Sequence, residues 1–524
     1  MNRACFLNIA AQERSQKLLD PAYVISDQEV SVRPQTRAAT SIAGLDDILG
    51  GGLPTDHIYL LDGEPGTGKT TLALQFLIDG IANGEQCLYV TLSESLAELK
   101  GVAESHGWDI NGIEIFELSA AATIQDEYTL FHPAEVELQE TMAAVFQVVE
   151  STEPARVVFD SLSEMRLLAR DPLRFRRQIL ALKQFFASRK CTVLLLDDKS
   201  SPEGDMQLHS LAHGVIMLDH VAMDYGAERR RLQVTKLRGT RFFGGYHDFR
   251  INTGGIEVYP RIRSQVPLGT SEPTNLTSGD AGLDALLGGG LTSGTSTLVT
   301  GAAGTGKTVL TLQYVQAAVA RGERVCMYLF DERVTTFRLR AAGLGIQMDE
   351  ALATGMLSVV QIEPTEMSPG EFANTVVREV LENGVKLIVI DSVNGFMNAM
   401  PSERLLGVQL HELLSFLANN EVSSILTLVQ RGVFGAPVDE AAEVSYLADT
   451  VILLRYFEHH GKVRQALSVV KKRSGFHERT IRECRIEHGG LRVGAPLTDF
   501  QGVLTGVPHY TGQIEPLMTP DVSA

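Results

Sequence analysis

The sequence has few of the features that mark membrane, secreted and disulfide-stabilised proteins. Its apolar runs are short, as in Ile58–Leu61, Val193–Leu196 and Leu387–Ile390, whereas a membrane-spanning helix needs about 20 apolar residues. Residues 1–16 contain no continuous apolar stretch after a basic start, so we expect neither a signal peptide nor a membrane span. The five cysteines are scattered and never spaced as CxxC, which favours a reducing, cytoplasmic setting over a disulfide framework or a zinc site.

Positive charge and tryptophan are also scarce. The 524 residues include 46 Lys and Arg against 64 Asp and Glu, which gives a formal net charge of −18. An acidic surface repels phosphate backbones, and the one tryptophan, Trp108, offers no stacking platform. The composition therefore argues against nucleic acid as a partner. The 44% of hydrophobic residues is typical of a soluble globular protein.

What the sequence does contain is a long internal repeat. Residues 43–53 read AGLDDILGGGL and residues 281–291 read AGLDALLGGGL, identical at nine of eleven positions and 238 residues apart. At the same offset, GEPGTGKT at 63–70 matches GAAGTGKT at 301–308. A period of this length is the size of a whole domain, so the pattern indicates tandem domains. The expected division is an extension at 1–38, a first domain at 39–260, a linker at 261–279, a second domain at 280–496 and a tail at 497–524.

Short apolar segments alternate with helical ones in both halves. The alternation predicts an α/β fold in each half, a mostly parallel twisted sheet with helices on both faces. The predicted helices include Thr70–Ala82, Leu173–Ser188 and an amphipathic segment over Asp126–Glu150. The predicted strands are His57–Asp62, Cys87–Leu92, Arg156–Asp160, Thr192–Leu196 and Val215–Leu218 in the first half, and Ser296–Thr300, Val325–Phe330, Leu387–Ile390, Ser424–Leu428 and Val451–Leu454 in the second.

The motif G-x-x-x-x-G-K-T occurs in both halves, each time between a predicted strand and a predicted helix. This context is typical of a loop whose backbone N–H groups surround nucleotide phosphates. Lys69 and Lys307 are expected to reach the β- and γ-phosphates of ATP, and the hydroxyls of Thr70 and Thr308 to bind Mg²⁺. Two copies at one period argue against a chance glycine-rich turn. The predicted ATP-binding residues are Gly63, Gly66, Thr67, Gly68, Lys69, Thr70, Thr71, Gly301, Gly304, Thr305, Gly306, Lys307 and Thr308.

An aspartate ends an apolar strand in each half. RVVFD ends at Asp160 and LIVID ends at Asp391, and a serine follows both. At the carboxyl end of a strand beside the loop, such an acid can hold Mg²⁺ through a water molecule. A lone aspartate there is more often a turn former or a helix cap, but the recurrence favours the metal site. Asp197 and Asp198 end another predicted strand, and for them a strand-end turn is preferred over nucleotide sensing.

ATP hydrolysis also needs a group that orients or deprotonates water. The second predicted strand of each half runs into an acidic pair of positions, Ser93–Glu94 and Asp331–Glu332. Glu94 and Glu332 share the offset of 238, which favours a catalytic role for Glu94, Asp331 and Glu332 over a solvated strand end.

A basic pair recurs near the end of each half. Lys236 and Arg238 match Lys471 and Arg473, each pair after an apolar, β-rich stretch. Residues two apart on a strand point to the same side. Such a pair is usually a solvated edge, but in P-loop oligomers it can reach the γ-phosphate on a neighbouring subunit. The repetition favours this trans contact.

Taken together, these motifs resemble the KaiC family of RecA/DnaB-like P-loop ATPases over about residues 41–492. The duplicated AGLD-x-LLGGGL lead-in and the segments KLRGT and KKRSGFHERTIRE make the resemblance specific. It implies two tandem RecA-like domains and a two-tiered homohexameric ring with ATP between subunits, together with regulatory protein partners. It also implies that the first domain is chiefly an ATPase and that the second can transfer phosphate to a hydroxyl of the neighbouring subunit.

Three positions depart from the family pattern. Ser93 stands where the first site has the leading one of two glutamates, and Asp331 replaces the leading glutamate of the second site. In the phosphoacceptor stretch the serine is retained as Ser445, but Tyr446 takes the place of the threonine. Ser445 is therefore the candidate phosphoacceptor, and a two-site Ser/Thr phosphorylation cycle is not expected.

The sequence thus predicts a KaiC-like signalling ATPase with Ser/Thr autokinase capacity in the second domain. One alternative is a nucleotide-gated protein-interaction module with little turnover, which Ser93 keeps open. Another is a DNA-dependent RecA/DnaB-type ATPase, which the fold permits but the net charge of −18 disfavours.

Overall fold

The computed structural model of the chain describes residues 36–118, 134–169, 171–199, 208–222, 226–263, 272–398, 406–430, 445–504 and 508–512. Most of the expected extension, residues 264–271 of the expected linker, much of the expected tail and the start of the helix predicted over Asp126–Glu150 lie outside these residues. Within them, no helix has the length and apolar character that crossing a membrane requires.

Strands and helices alternate along the first half. Its described strands are β1 (Arg37–Ala38), β2 (Leu53–Pro54), β3 (Ile58–Gly63), β4 (Cys87–Thr91), β5 (Glu114–Glu117), β6 (Arg156–Asp160), β7 (Thr192–Asp198), β8 (Gly214–Val221), β9 (Arg229–Leu237), β10 (Tyr246–Asn252) and β11 (Gly255–Tyr259). Its described helices are α1 (Leu45–Leu49), α2 (Lys69–Ala82), α3 (Leu96–His106), α4 (Ala134–Thr152), α5 (Leu162–Ala169) and α6 (Pro172–Ala187).

The second half repeats this order. Its described strands are β12 (Asn275–Leu276), β13 (Leu291–Thr292), β14 (Ser296–Gly301), β15 (Val325–Leu329), β16 (Leu357–Gln361), β17 (Leu387–Asp391), β18 (Ser423–Val429), β19 (Thr450–His459), β20 (Lys462–Lys472), β21 (Arg482–Glu487), β22 (Gly490–Pro496), β23 (Phe500–Gln501) and β24 (His509–Tyr510). Its described helices are α7 (Ala281–Leu286), α8 (Lys307–Ala320), α9 (Val334–Gly343), α10 (Asp349–Ala353), α11 (Pro369–Leu381), α12 (Val393–Asn398) and α13 (Leu406–Asn419).

Each half is built on a nine-stranded sheet. The order is β11-β10-β9-β8-β3-β7-β6-β4-β5 in the first half and β22-β21-β20-β19-β14-β18-β17-β15-β16 in the second. The strands from β8 to β5, and from β19 to β16, run parallel, and the remaining three of each sheet are antiparallel. The predicted α/β class with two mostly parallel sheets is confirmed.

Both faces of each sheet are buried. In β3, Tyr59 and Leu61 pack with α2 into one cluster, while Leu60 between them packs into a second cluster with α4, α5 and α6. In β17, Leu387 and Val389 face one cluster and Ile388 faces the other. Burial on both faces explains why the central strands are continuous apolar runs in the sequence.

The two halves meet where α11 packs against β10. Arg250 forms an ion pair with Glu371 at 2.8 Å, and the backbone N–H of Gly370 donates to Asp248 at 2.8 Å. These polar contacts join the last sheet strands of the first half to one helix of the second half.

Candidate active sites

Both predicted phosphate loops leave a central strand and lead straight into a long helix. The first loop, residues 63–70, joins β3 to α2, and the second loop, residues 301–308, joins β14 to α8. Within the described residues neither helix has a side-chain cap at its N-terminus, whereas Ser95, Asp171 and Asp280 cap α3, α6 and α7. The first N–H groups of α2 and α8, together with the helix dipole, are therefore suited to bind an anion.

Glycine is required where each loop turns into its helix. Gly68 and Gly306 both have φ of 103°, a left-handed conformation that strains residues with a Cβ atom. A Cβ at Gly68 would also lie 2.6 Å from Cδ1 of Ile251. The remaining predicted loop residues lie on the same two loops or on the first turn of α2, namely Gly63, Gly66, Thr67, Thr70, Thr71, Gly301, Gly304, Thr305 and Thr308.

The two loop lysines fold back over their own loops. Lys69 Nζ donates to two carbonyl oxygens of the first loop, at 2.7 and 2.9 Å. Lys307 Nζ donates to two carbonyl oxygens of the second loop, at 3.0 and 2.8 Å. Burial lowers the pKa of Lys307 to about 8, and the nearby carboxylate of Asp391 opposes the shift. Both ammonium groups thus lie over the concave side of a phosphate loop.

The acids predicted for the first site are both near the first loop. The Thr70 hydroxyl donates to Glu94 at 3.4 Å, and the Tyr89 hydroxyl donates to Asp160 at 2.6 Å. Burial raises the pKa of both carboxyl groups, and the charge of Asp160 raises the pKa of Glu94 further. Among the described residues, Oε2 of Glu94 is buried without a hydrogen-bond partner. This oxygen can accept a hydrogen bond or a proton from water.

The acids of the second site are held differently. The Thr308 hydroxyl donates directly to Asp391 at 2.8 Å, and Asp331 accepts a hydrogen bond from the serine that follows Asp391. Glu332 forms an ion pair with Arg340 at 2.6 Å. Burial raises the pKa of Glu332, and the Arg340 guanidinium opposes this shift. The catalytic candidate therefore has a cationic partner in the second site.

The oxygen atoms beside both loops match the ligands that Mg²⁺ prefers. A threonine hydroxyl and carboxylate oxygens lie side by side, as the contacts of Thr308 with Asp391 and of Thr70 with Glu94 show. Mg²⁺ usually takes one or two protein oxygens together with water and substrate phosphates. The described part of the chain holds no group of three or more His, Cys, Asp or Glu that could cage a metal by itself. The donor set fits a metal that is shared with a bound nucleotide.

The basic pair of the first half lies toward the other end of the sheet. The first loop begins at Gly63, which lies beside Leu218 of β8. Lys236 of β9 lies beside Val215, toward the amino end of the same β8. Three residues of strand span about 10 Å. The register in the second half is equivalent, with Lys471 beside the start of β19 and the loop beside its middle.

The second basic pair contacts the segment that carries Ser445. Lys471 Nζ donates to the carbonyl oxygen of Ser445 at 3.0 Å. Arg473 donates to the carbonyl oxygen of Tyr446 at 2.9 Å and pairs with Asp449 at 3.3 Å. The side chain of Tyr446 is 59% exposed. The candidate phosphoacceptor and the basic pair therefore lie together, at the end of the sheet away from the loop of their own chain.

Two acids that the sequence assigns to a strand-end turn complete β7 instead. Asp198 Oδ1 lies 2.8 Å from Lys69 Nζ, and Asp197 forms an ion pair with Arg166 at 2.6 Å. Burial raises the pKa of Asp197 to about 6, and the Arg166 guanidinium opposes the rise. The contact with Lys69 arises because β7 is the sheet neighbour of β3, a pairing that adjacent sequence does not reveal.

Comparisons with known proteins match the two halves of the chain separately to one family. The model of the family described as "ATPase: KaiC" matches residues 38–263 and again residues 276–498. The two matches together span most of the chain and fall on its two halves.

Curated relatives match over nearly their full length. The "Circadian clock protein KaiC3" of Synechocystis sp. (strain ATCC 27184 / PCC 6803 / Kazusa) is 28% identical over 491 residues, which are 91% of this chain and 95% of that protein. The "Circadian clock oscillator protein KaiC" of Acaryochloris marina (strain MBIC 11017) is 26% identical over 485 residues, 90% of this chain and 91% of that protein. The protein of the same name from Thermosynechococcus vestitus (strain NIES-2133 / IAM M-273 / BP-1) is 26% identical over 501 residues, 93% and 95% of the two chains.

Proposed function

The chain belongs to the KaiC family of ATPases, and we propose that it binds ATP with Mg²⁺ at both loops and hydrolyses it in a regulatory role. One observation carries this proposal. Each half has a phosphate loop that leads into a helix whose N-terminus is uncapped. Beside that loop lie its lysine, a threonine hydroxyl and acids from the ends of strands. That grouping is what binding and cleavage of a nucleoside triphosphate require.

The roles of the site residues follow from their positions. Lys69 and Lys307, which donate to loop carbonyl oxygens in the structure, donate to the phosphates of ATP in this proposal. Thr70 and Thr308 would supply hydroxyl ligands to Mg²⁺, and Asp160 and Asp391 would hold the ion through water. When bound, Mg²⁺ neutralises charge that develops on the phosphate oxygens.

Glu94 and Glu332 orient the attacking water in this proposal. The raised pKa of each glutamate makes it a stronger base than an exposed carboxylate. Oε2 of Glu94, which has no hydrogen-bond partner among the described residues, can accept a hydrogen bond from that water. Asp331, held by Ser392, stands next to Glu332 and assists it.

Each site is completed by a second copy of the chain. Lys236, Arg238, Lys471 and Arg473 lie away from the loop of their own half, so they contribute to the nucleotide site of a neighbour. Contacts of this kind between identical subunits, repeated around a closed ring, give the homohexamer that the family resemblance implies. Regulatory proteins would act on this assembly.

Autokinase activity in the second half uses the same geometry. The Ser445 hydroxyl oxygen attacks the γ-phosphorus of ATP on the neighbouring subunit, ADP leaves, and Glu332 of that subunit accepts the hydroxyl proton. The support is the place of Ser445 beside Lys471, at the end of the sheet that faces the neighbour in this arrangement. Tyr446 replaces the second acceptor, so a single phosphorylation event is proposed rather than a two-site cycle.

Two observations favour a second candidate function, a nucleotide-gated interaction module with little turnover. Glu332 is engaged by Arg340 at 2.6 Å, which weakens it as a base, and Ser93 removes one acid from the first site. Such a module would use bound ATP to set its conformation rather than to drive cycles.

The deciding experiment follows the γ-phosphate of radiolabelled ATP with Mg²⁺. The proposal expects label in free phosphate from the native chain, and much less from the Lys69→Ala/Lys307→Ala double variant. It also expects label on protein that is lost in Ser445→Ala but not in the control Ser151→Ala, an exposed helical serine. Turnover no faster than that of Glu94→Gln/Glu332→Gln would favour the interaction module. Label confined to free phosphate would refute the autokinase activity.

A further inference from the structure

The two phosphate loops have different residues opposite their first glycine, at the end of the adjacent strand. In the first half β7 ends beside β3, and Asp198 lies opposite Gly63. Its Oδ1 is 2.8 Å from Lys69 Nζ, with 33% of the Asp198 side chain exposed against 8% for Lys69. The loop lysine of the first site therefore has a carboxylate partner at the end of β7, beside the start of the phosphate loop.

Asp198 is held in this position by its neighbours. The Ser163 hydroxyl donates to Asp198 Oδ2 at 3.0 Å, and the backbone N–H of Asp198 donates to the same hydroxyl at 3.0 Å. Ser163 also lies 3.2 Å from Asp197, which is buried and paired with Arg166 at 2.6 Å. Since Ser163 holds the Asp198 carboxylate in place, the contact with Lys69 follows from the packing at the end of the sheet.

The second site has no acid at the equivalent position. There Gly301 lies opposite Val429 of β18, and the place of Ser163 is taken by Asn394, whose side chain bonds the Val429 backbone at 3.1 and 2.6 Å. Lys307 donates to two loop carbonyl oxygens. Among the described residues no ion pair joins it to an acid. The two halves thus provide an internal comparison of the same loop with and without the carboxylate.

A phosphate-loop lysine contributes to nucleotide binding by donating to the β- and γ-phosphates. An anion already bound to that lysine must be displaced, and it then stays close to the entering phosphates, where like charges repel. Because this pair is partly exposed, screening limits the size of the effect. On these grounds, and resting on the proposed function of the first site, we infer that Asp198 is a competing counter-ion that weakens ATP binding at the first site relative to the second. Asp198 acts through Lys69 and is a positioning residue.

The test uses the full chain with one site disabled at a time. In the Lys307→Ala background, which leaves the first loop intact, a fluorescent ATP analogue is titrated with Mg²⁺ present. Asp198→Asn, whose amide oxygen can still accept from Ser163, is expected to tighten binding about two- to fivefold, the size expected for one partly exposed ion pair. The KM for ATP should fall by a similar factor while kcat changes less than twofold, because water activation is not touched.

The reciprocal variant provides the matched control. In the Lys69→Ala background, Val429→Asp introduces the carboxylate beside Lys307 and is expected to weaken binding at the second loop by a similar factor. Val429→Asn, of the same size without the charge, should leave binding near its starting value.

The outcomes separate the inference from the proposed function. Unchanged or weaker binding by Asp198→Asn, in a chain whose first loop binds the analogue, would overturn the inference alone. A simultaneous loss of kcat and melting temperature would indicate a merely structural role and would overturn it as well. No binding by the Lys307→Ala chain would overturn both the inference and the proposed function of the first site.

Discussion

The hydroxyl of Thr308 donates a hydrogen bond to the carboxylate of Asp391 at 2.8 Å, joining the first turn of α8 to the end of β17. The corresponding threonine of the first half, Thr70, donates at 3.4 Å to Glu94 rather than to Asp160. The two groups proposed to hold Mg²⁺, one directly and one through water, therefore lie side by side in the second site, whereas Thr70 contacts the catalytic candidate in the first.

Thr308→Ala should weaken the use of Mg²⁺ at the second site. Loss of the hydroxyl removes one proposed ligand and the hydrogen bond that orients Asp391, so we expect the Mg²⁺ concentration for half-maximal turnover to rise about tenfold. Phosphate release is measured in the Lys69→Ala background. Thr354→Ala, which truncates an exposed threonine at the end of α10, is the control, and an unchanged Mg²⁺ requirement in Thr308→Ala would contradict the ligand assignment.

Arg238→Ala should lower turnover at the first site by about a hundredfold or more, because in this proposal the arginine contacts the γ-phosphate on the neighbouring subunit. Because loop and arginine belong to different subunits in this proposal, a mixture with Lys69→Ala should regain activity. Random mixing of equal amounts gives intact pairs at about a quarter of the sites. Phosphate release in the Lys307→Ala background measures the recovery.

The control for this experiment is Arg485→Ala, since Arg485 is an exposed arginine that pairs with Glu483 on β21. Its turnover should stay near that of the starting protein. A mixture no more active than its separate components would exclude the trans contact.

Arg340→Ala should raise turnover at the second site. Removing the guanidinium that pairs with Glu332 at 2.6 Å leaves the carboxylate more basic and able to accept from water, and we expect an increase of about threefold. Arg338→Ala, which removes another arginine of α9 and breaks its exposed pair with Asp349, is the matched control. Slower turnover in Arg340→Ala would show that the pair positions Glu332 productively.

Asp197→Asn should change how stability depends on pH. Burial raises the pKa of Asp197 from 3.8 to about 6, so between about pH 4 and 6 the folded chain keeps a proton that the unfolded chain releases. Stability from this group is therefore greatest at low pH and falls by up to about 3 kcal/mol as the pH rises through that window. Calorimetric unfolding of both proteins at several pH values measures the difference, and a constant difference would refute the raised pKa.

Much of the fold is predictable from local sequence. The central strands are short apolar runs because both faces of the sheets are buried, and the sequence places β6 at the observed residues, Arg156–Asp160. The edge strand β5, Glu114–Glu117, has a charged residue at each end and is not predicted. Neither are β10 and β11, because antiparallel extension of the sheet depends on tertiary packing rather than on a continuous apolar run.

The candidate sites, too, are predictable from local sequence only in part. Loop, lysine and threonine are encoded in eight consecutive residues, and the bonds from each lysine to the carbonyl oxygens of its loop are local. The pairing of Lys69 with Asp198 and of Glu332 with Arg340 depends on which strand lies beside β3 and on how α9 packs. Sequence spacing carries neither piece of information.

The distance between each loop and the basic pair of its own half gives any assembly of this chain a direction. In the assembly proposed above, a subunit offers a loop on one side and a lysine–arginine pair on the other, so the proposal predicts contacts between copies that are head-to-tail rather than mirrored. A single defective copy then disables different sites depending on which side carries the defect. In that assembly, loss of the loop lysine is expected to silence the subunit's own site, whereas loss of the arginine is expected to silence the site of one neighbour and to leave the subunit's own site complete.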